Sequence, residues 1–407
     1  MKQLLNLVVC LFMGLAAMAQ LPELTVEQHL EDYDFAVKYL EDNYAGFPNK
    51  VVDSTRADYE AMKTRLRDQV ASSERTSWSA IAEYTGWFND YHTRLCFNDI
   101  SSDGRVRGAT DRYRTRNRIY YDELMEVYQP TAVACKVTDK TFLIRFPSCY
   151  GEPDMDWIEG SIQAFKESGC ENLVLDIRGN SGGSDNFFKP YWKLLYDHEG
   201  IDRGIEYRNT PEHRRLLLQQ FKDEGLPEEV AMSIQAMFPM IANIPYLPYT
   251  FLSKFQDMMT GSQDLSMQGL MGMLGDLESS DGDGCTLTYR CDQVDDAVRK
   301  AALIIDNFVA SSGEQMVREI RLTSDRTVIY GRDNTLGCLD FSNIYEAELP
   351  NSHIHFTSPM SRSMGLPETG VDDTGIAPDV RIDLPLPAKL TDNIDEWVIW
   401  VAEQLEK

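Results

Sequence analysis

Ser311 has the local setting that nucleophilic catalysis requires. It opens the run Ser311-Ser312-Gly313-Glu314, which follows an apolar, strand-like stretch and begins a predicted helix. The N-terminus of a helix favours developing negative charge, and the N–H of the next residue can donate to an oxyanion. Ser-x-x-Glu is also a capping box, with Ser311 as N-cap and Glu314 at N3. The spacing therefore fits either a nucleophile or a plain helix start.

A nucleophilic serine needs a base that accepts its proton. His92, within Asn89-Asp90-Tyr91-His92-Thr93, is the leading candidate, although surface and capping histidines share such surroundings. His353 and His355 alternate along a predicted strand and form the reserve. No lysine lies between positions 300 and 389, which excludes a lysine base shortly after Ser311.

A third group should orient the histidine. Asp372 and Asp373 precede Thr374-Gly375-Ile376-Ala377-Pro378-Asp379, a predicted turn that returns the chain to its last strand. One of these two carboxylates is the expected orienting group. Capping of the turn is the structural alternative for both.

The stretch Leu173–Gly183 is the element around which this chemistry would be arranged. Its apolar start, Leu173–Ile177, is typical of a buried strand in a parallel sheet. The glycines that follow permit backbone angles and close approaches that a Cβ would block, and a helix is predicted over Phe187–Tyr196. A strand, a glycine-rich turn and a helix start together aim backbone N–H groups at an anion or oxyanion. A tight turn without chemistry is the alternative; the phosphate-loop pattern GxxxxGK[ST] is absent.

Strand-like and helix-like segments alternate around these residues and predict an α/β core. Apolar residues at helical spacing over Leu24–Asp90, with Thr25 and Thr55 as caps, predict an N-terminal helical subdomain. Residues 201–293 form a predicted helical insertion rich in methionine, which is either packed or an adaptable binding surface. The other predicted strands are Thr131–Val137, Thr141–Phe146, Ala301–Val309, Thr327–Tyr330, Gly337–Phe341, His353–Thr357 and Val380–Leu384, and the other predicted helices are Asp154–Ser168, Ser311–Ile320 and Asp392–Leu405.

The composition indicates an exported globular protein. The chain has 407 residues and a net charge of −26, which argues against nucleic acid or an anionic membrane as partner. Met1–Ala19 resembles a secretory signal peptide that ends in Ala17-Met18-Ala19, so a periplasmic or extracellular location is expected, with lipidation at Cys10 as the alternative. No later segment is apolar enough to span a membrane. Export permits disulfides, and Cys285 with Cys291 is the preferred pair.

Four motifs in one order resemble those of the tail-specific, or C-terminal processing, serine peptidases. The resemblance is closest to the tricorn-core and interphotoreceptor retinoid-binding protein branch. Leu175–Gly183 resembles D-[LI]-R-x-N-x-G-G, and Asn89–Thr93 resembles D-x-H-[ST]. Ala310–Glu314 resembles A-S-A-x-E, and Thr374–Asp379 resembles G-[VI]-x-P-D. The Ser–Lys dyad of the processing proteases has no counterpart, because Cys338 stands at the lysine position, and there is no room for a PDZ domain.

The resemblance implies a crotonase-like ββα core with serine peptidase activity on peptide or protein substrates. The implied roles are nucleophile, base, orienting acid and oxyanion hole, carried by Ser311, His92, Asp372 and the N–H groups of Gly182, Gly183 and Ser312. No cofactor or metal is expected, since neither CxxC nor a Cys/His ligand spacing occurs.

These patterns divide the chain into a signal peptide (1–19), an N-terminal helical subdomain (20–102), an α/β catalytic core (103–200 and 294–407) and the helical insertion (201–293). The predicted function is peptide-bond hydrolysis by an exported serine endopeptidase through an acyl-enzyme. A catalytically inactive member that binds an apolar ligand or a peptide is the alternative, and a hydrolase of non-peptide acyl groups is the third possibility. The oligomeric state is open at this point.

Overall fold

The computed structural model describes residues 23–96, 131–223, 225–253, 286–291, 295–372, 374–385, 387 and 394–407. The helices in these ranges, α1 to α10, are Val26–Asn43, Phe47–Lys50, Asp53–Ala71, Ser77–Trp87, Met155–Ser168, Trp192–Leu195, Pro211–Asp223, Glu228–Ile241, Ser312–Thr323 and Glu396–Leu405. The strands, β1 to β13, are Leu95–Cys96, Val133–Lys136, Thr141–Arg145, Asn172–Asp176, Gly200–Asp202, Ile205–Arg208, Tyr246–Pro248, Leu287–Tyr289, Lys300–Ile305, Thr327–Gly331, Phe341–Glu348, His355–Ser363 and Val380–Arg381.

Two compact units make up the chain. Unit 1 comprises residues 1–117, 210–213 and 343–361, and unit 2 comprises the remainder. In unit 1, helices α1, α3 and α4 pack around buried aromatic side chains, and the hydroxyls of Tyr59 and Tyr84 lie 2.8 Å apart. Strand β1 pairs antiparallel with β12, with Leu95 opposite Phe356, and β12 also pairs with β11.

The first helix begins where the sequence predicts. Thr25 is the N-cap of α1, and Thr25 and Gln28 exchange hydrogen bonds between side chain and backbone, at 3.0 and 3.3 Å. The prediction for Thr55 is wrong. Val52 is the N-cap of α3, and Thr55 lies at N3, where its hydroxyl accepts from the Val52 N–H at 3.0 Å.

Unit 2 is built on a six-stranded sheet in the order β13-β10-β9-β4-β3-β2. Strand β4 runs parallel to both neighbours, with Leu175 opposite Ile144 on one side and Leu303 on the other, as its continuous apolar run predicts. The β2–β3 pair is antiparallel. The carboxyl ends of β4 and β9 lie side by side, so the glycine turn and Ser311 emerge at the same edge of the sheet.

Both faces of this sheet are covered by helices. Leu173 and Leu175 of β4 join a core cluster with side chains of α5 and α9, including Phe165 and Ile320. Val174, on the opposite face, joins a second cluster with side chains of α10. Because side chains alternate along a strand, one apolar strand contributes to both layers. Helices α9 and α10 therefore lie on opposite faces of the sheet.

A buried ionic network links the end of β4 to α10. Asp176 accepts hydrogen bonds from Arg145 Nε (2.6 Å) and from Arg178 Nε (2.9 Å) and Nη2 (2.7 Å). Asp395, the N-cap of α10, accepts from the same two guanidinium groups at 3.0 and 2.6 Å. The side chains of all four residues are 0–2% exposed.

Several predicted elements differ in the structure. The predicted helix over Phe187–Tyr196 is two 3₁₀ turns, at Asp185–Phe187 and Lys189–Tyr191, followed by the four-residue α6. Pro190 lacks the N–H that a continuous helix would need there. The predicted insertion contains the short strands β5 to β8 as well as helices.

The strand segments near the site also differ from prediction. Strand β9 ends at Ile305 because the Asp306 carboxylate accepts from the Phe308 N–H (2.9 Å) and turns the chain. The strand predicted over Gly337–Phe341 is absent, and β11 begins at Phe341. The N–H of Gly337 is bound by a buried carboxylate instead of a neighbouring strand.

Two predictions concern the cellular setting. Cys291 carries a free thiol. Cys285, its predicted disulfide partner, and the signal-peptide segment Met1–Ala19 lie outside the described residues, so both predictions remain predictions. Across the described ranges, no helix is both long enough and apolar enough to cross a membrane.

Candidate active site

Ser311 occupies a strained turn between β9 and α9. Its φ of 52° and ψ of −121° lie in a region that residues with a Cβ adopt at a cost of about 1–3 kcal/mol. Its N–H donates to the Cys338 carbonyl at 3.1 Å and to the Glu314 carboxylate at 3.2 Å. Ser311 is the N-cap, as predicted, but its side chain makes no capping hydrogen bond. The partly exposed hydroxyl is therefore not used to hold the helix start.

Glu314 ties this turn to the loop that follows β10. Its fully buried carboxylate accepts from the Thr335 hydroxyl (2.5 Å) and the N–H groups of Gly337 and Cys338 (both 2.7 Å), besides Ser311. Burial raises the pKa of Glu314 to about 7, although these donors oppose the shift. The sequence shows Glu314 as a capping residue, and no local pattern shows that residues 335–338 fold onto it.

Asn180 shapes the glycine turn and holds it against the turn that carries Ser311. Its buried side chain accepts from the Gly182 N–H (3.0 Å) and donates to the Phe146 carbonyl (3.1 Å). Its own carbonyl accepts from the Ala310 N–H at 3.0 Å. A Cβ placed on Gly182 would lie 2.7 Å from the Ser311 Cβ, so the two turns are in direct contact. The Gly182 N–H thus already has an acceptor.

Gly183 presents its backbone polar groups toward Ser312. Cys149 pairs with the residues on either side of Gly183. Its N–H donates to the Gly182 carbonyl (3.2 Å), and its C=O accepts from the Ser184 N–H (2.8 Å). The N–H and C=O of Gly183 itself therefore face away from Cys149. On that side the Ser312 hydroxyl donates to the Gly183 carbonyl at 2.7 Å. Among the described residues, no acceptor binds the N–H of Gly183 or of Ser312. Two open donors thus lie beside Ser311.

Asp372 lies in the same unit, in the loop before β13. One oxygen of its carboxylate accepts from the N–H groups of Leu339 (3.1 Å) and Asp340 (3.0 Å). In return, the Asp340 carboxylate accepts from the N–H groups of Val371 and Asp372, at 2.8 and 3.1 Å. This exchange fixes Asp372 to the residues just after Cys338, whose carbonyl holds the Ser311 N–H. Asp373 lies outside the described residues.

His92 belongs to unit 1, in the turn after α4. The buried carboxylate of Asp90 accepts from the His92 N–H and from the Thr93 hydroxyl, both at 2.9 Å. This Asx turn explains the D-x-H-[ST] spacing, because Asp90 fixes the backbone that carries the imidazole. The ring itself is half-buried.

The reserve histidines lie on the β11–β12 hairpin of unit 1. His353 Nδ1 pairs with Glu348. The two nitrogens of His355 lie 3.6 Å from a Glu346 oxygen and 3.7 Å from a Glu348 oxygen. Each reserve histidine therefore already faces a glutamate of its own hairpin.

The structure brings four of the predicted site residues together. Ser311, Ser312, Gly182 and Gly183 meet at the carboxyl edge of the sheet, and Asp372 is bound to the adjoining loop. Asn180 and Glu314, which hold these segments in place, were not predicted as functional residues. Their signal is the spacing inside the motifs N-x-G-G and S-x-x-E.

A second buried carboxylate lies further along α9. Glu319 accepts from the Tyr196 hydroxyl (2.7 Å) and from Gln315 (2.9 Å), which also donates to the Tyr289 hydroxyl at 2.8 Å. Burial raises the pKa of Glu319 to about 7. This network anchors residues at both ends of the insertion to the helix that begins after Ser311.

Replacing Glu319 by glutamine should make stability less dependent on pH. Because the folded-state pKa lies above the unfolded value of 4.5, wild-type stability falls as the pH rises from about 4.5 to 7. Glu319→Gln keeps an acceptor for Tyr196 and carries no charge. We expect it to unfold at similar denaturant concentrations to wild type at pH 5, and to be about 2–3 kcal/mol more stable at pH 8.

Urea unfolding at pH 5 and pH 8 measures this difference, with the exposed Glu403→Gln on α10 as control. The control should change stability by less than about 0.5 kcal/mol at either pH. An equal effect of Glu319→Gln at both pH values would contradict the argument.

Unit 2 also contains a possible cation-binding cluster and an apolar cleft. Asp197, His198 and Asp325 are exposed and close enough to share a cation, but the Asp197 carboxylate accepts from the N–H groups of Asp325 and Arg326, which explains the cluster as a turn. A small cleft, partly open to solvent, lies between α7 and α8 and is lined by apolar side chains and Arg214.

Comparison with known proteins identifies the class that this fold and site define. The model of peptidase family S41 matches residues 140–382, which is more than half of the chain and includes Ser311, the glycine turn and Asp372. The chain therefore belongs to peptidase family S41, a family of serine peptidases. His92 precedes the matched residues. No curated protein sequence matches the chain.

Solved structures show the same fold at low sequence identity. Mature CPAF is 14% identical, with a TM-score of 0.56 over 94% of this chain and 96% of that one. Mature CPAF complexed with lactacystin is 13% identical, with a TM-score of 0.53 over 94% and 97%. A candidate peptidase from Parabacteroides merdae ATCC 43184 is 14% identical, with a TM-score of 0.50 over 86% and 89%.

Proposed function

We propose that this chain is an exported serine endopeptidase in which Ser311 is the nucleophile. The observation that carries the proposal is the arrangement around Ser311: a hydroxyl that caps nothing, on a strained turn, beside two open N–H donors. Membership of a serine peptidase family supplies the substrate class, which is a peptide or protein.

The proposed oxyanion hole consists of the N–H groups of Gly183 and Ser312. Ser312 follows Ser311 directly, and its hydroxyl binds the Gly183 carbonyl. Neither N–H has an acceptor among the described residues. The sequence analysis also predicts Gly182 as an oxyanion-hole donor, but the Gly182 N–H donates to the Asn180 side chain. We therefore assign Gly182 the role of contact surface, since its missing Cβ allows the turn to touch Ser311.

In the proposed reaction, His92 accepts the Ser311 proton as the hydroxyl oxygen attacks the peptide carbonyl. The tetrahedral oxyanion is stabilised by Gly183 and Ser312. His92 then donates its proton to the leaving amine, the C–N bond breaks and an acyl-enzyme remains. A water molecule, deprotonated by His92, hydrolyses that ester and restores Ser311. Asp372 orients His92, with Asp373 as the alternative.

The finer classification is also proposed. Two strand–helix–strand units, β3–α5–β4 and β9–α9–β10, place their helices on one face of a largely parallel sheet, which supports a crotonase-like core. Cys338 stands at the lysine position of the Ser–Lys dyad, within the loop that Glu314 binds, which supports a His-dependent branch of the tail-specific peptidases. The N-terminal signal-like segment supports export to a periplasm or the cell exterior.

Labelling with a fluorophosphonate tests the nucleophile and base together. We expect the probe to attach to Ser311, as located by peptide mapping, and His92→Ala to reduce the labelling rate by about 10²–10⁴-fold. Lactacystin, the compound named with mature CPAF, provides a second probe and should protect Ser311 from labelling.

His198→Ala is the matched control, since His198 is exposed and pairs with Asp197 outside the proposed site. This variant should label at the wild-type rate. Labelling of a different residue, or equal labelling of His92→Ala and wild type, would reject the assignment.

A further inference from the structure

Tyr150 is the most exposed of the large apolar or aromatic side chains in the described ranges, at 68% of its full surface. Its ring has no stacking, cation–π or hydrogen-bond partner there. Exposed aromatic side chains carry a large apolar area that water solvates poorly, and they contribute strongly to binding when a partner covers them.

The backbone of Tyr150 is packed directly on the glycine turn. A Cβ on Gly183 would lie 1.9 Å from the Cys149 carbonyl oxygen and 2.8 Å from the Tyr150 nitrogen. The Cys149 bridge holds this segment beside Gly183, and the Tyr150 N–H donates to the Ser148 hydroxyl at 3.1 Å. The position of Tyr150 relative to the proposed oxyanion hole is therefore set by backbone contacts.

Alternation along this extended segment turns the Tyr150 ring outward. Cys149 is 1% exposed, and its sulfur accepts from the buried Asn180 side chain at 3.2 Å. The next side chain must leave the opposite face. The exposed residues adjoining it in the two segments are small, namely Ser148, Gly151, Ser181 and Gly183. Within Ser148–Gly151 and Ser181–Gly183, Tyr150 is thus the one large side chain that is exposed.

We infer that Tyr150 is a specificity-determining residue that binds an apolar side chain of the substrate next to the scissile bond. This inference rests on the proposed peptidase function. A peptide whose carbonyl oxygen sits on the Gly183 N–H must pass over the bare backbone of the glycine turn, and Tyr150 borders that path. An aliphatic or aromatic side chain of the substrate would be stabilised on the Tyr150 ring, because the contact removes apolar surface from water. A serine or glycine of the substrate would bury little apolar surface there.

Tyr150→Ala tests the inference on paired peptides that differ only in having leucine or phenylalanine, or else serine, at each position flanking the cleaved bond. We expect kcat/KM for the apolar peptides to fall about tenfold, and kcat/KM for the serine peptides to change less than about twofold. Tyr150→Phe should retain the wild-type preference. Ile399→Ala, which removes an exposed apolar side chain from α10 on the opposite face of the sheet, should leave both classes unchanged.

The labelling rate of Ser311 with a small fluorophosphonate is measured in the same variants. This probe lacks the apolar side chain, so Tyr150→Ala should label at the wild-type rate. With labelling intact, an equal loss for all peptides, or no loss for any, overturns the role of Tyr150. Absence of Ser311 labelling in wild type instead overturns the proposed function, and this inference with it.

Discussion

Replacing Ser311 by alanine should abolish peptide hydrolysis while leaving the fold intact. We expect the rate to fall by about 10⁴-fold or more, because the variant lacks the atom that attacks the carbonyl. Stability should change by less than about 0.5 kcal/mol. The Ser311 hydroxyl caps nothing, and alanine keeps the same Cβ at the same strained φ. Peptide cleavage assays and thermal unfolding measure the two effects.

Ser312→Ala is the matched control for this prediction. The Ser312 hydroxyl donates to the Gly183 carbonyl at 2.7 Å, while its N–H is the proposed oxyanion donor and survives the substitution. Losing one net hydrogen bond should reduce activity by about tenfold or less, and fluorophosphonate should still label Ser311. If Ser312→Ala is as inactive as Ser311→Ala, or Ser311→Ala still cleaves peptides, the nucleophile has been assigned to the wrong residue.

Replacing Asp176 by alanine should lower the free energy of unfolding by about 3–5 kcal/mol, more than any other substitution proposed for this protein. Asp176 is fully buried and binds Arg145 and Arg178, so its removal takes one of the two carboxylates that these buried guanidinium groups share in the described ranges and leaves Asp395. Burial alone would raise the pKa of Asp176, but the two guanidinium groups outweigh it and hold that pKa well below its usual range. Denaturant unfolding at pH 7 measures the loss.

The pH dependence provides a second test of the same network. A carboxylate whose pKa is lower in the folded state stabilises the fold above its unfolded pKa, and this contribution is lost as the pH falls below about 4. The difference between wild type and Asp176→Ala should shrink in that range. Arg67→Ala, which breaks the exposed pair with Asp34, is the control and should cost no more than about 1 kcal/mol. A similar loss in both variants would contradict the importance of burial.

Elements specified by short-range patterns follow the sequence closely. Thr25 begins α1, the apolar run of β4 lies between parallel neighbours, and Ser311 stands at the start of α9. Each depends on residues within about one helical turn or one strand. Two elements differ from the sequence-based prediction. Strand β11 is weakly apolar and depends on pairing with its partner strand. The helix predicted from Phe187 is interrupted at Pro190.

For the candidate site as well, some features follow from the sequence and others do not. The sequence alone determines which residue types are available: a serine at a helix start, a histidine in an Asx turn, a glycine-rich turn after a buried strand, and four motifs in the order of one peptidase family. Their chemistry is local, so spacing suffices to recognise it. Their roles as nucleophile, base and orienting acid remain predictions.

Only the tertiary structure decides which residues hold these groups in place and which of their N–H donors already have a hydrogen-bond acceptor. Glu314 binds residues more than twenty positions away, and Asp372 binds Leu339 across a similar separation. The Gly182 N–H donates to Asn180, while the Gly183 N–H has no acceptor in the described part of the chain, because Cys149 pairs on its other side. Hydrogen bonds and exposed surface depend on which distant segments meet. No local pattern in one chain shows that Tyr150 stands uncovered beside the glycine turn, or that Ser311 caps nothing.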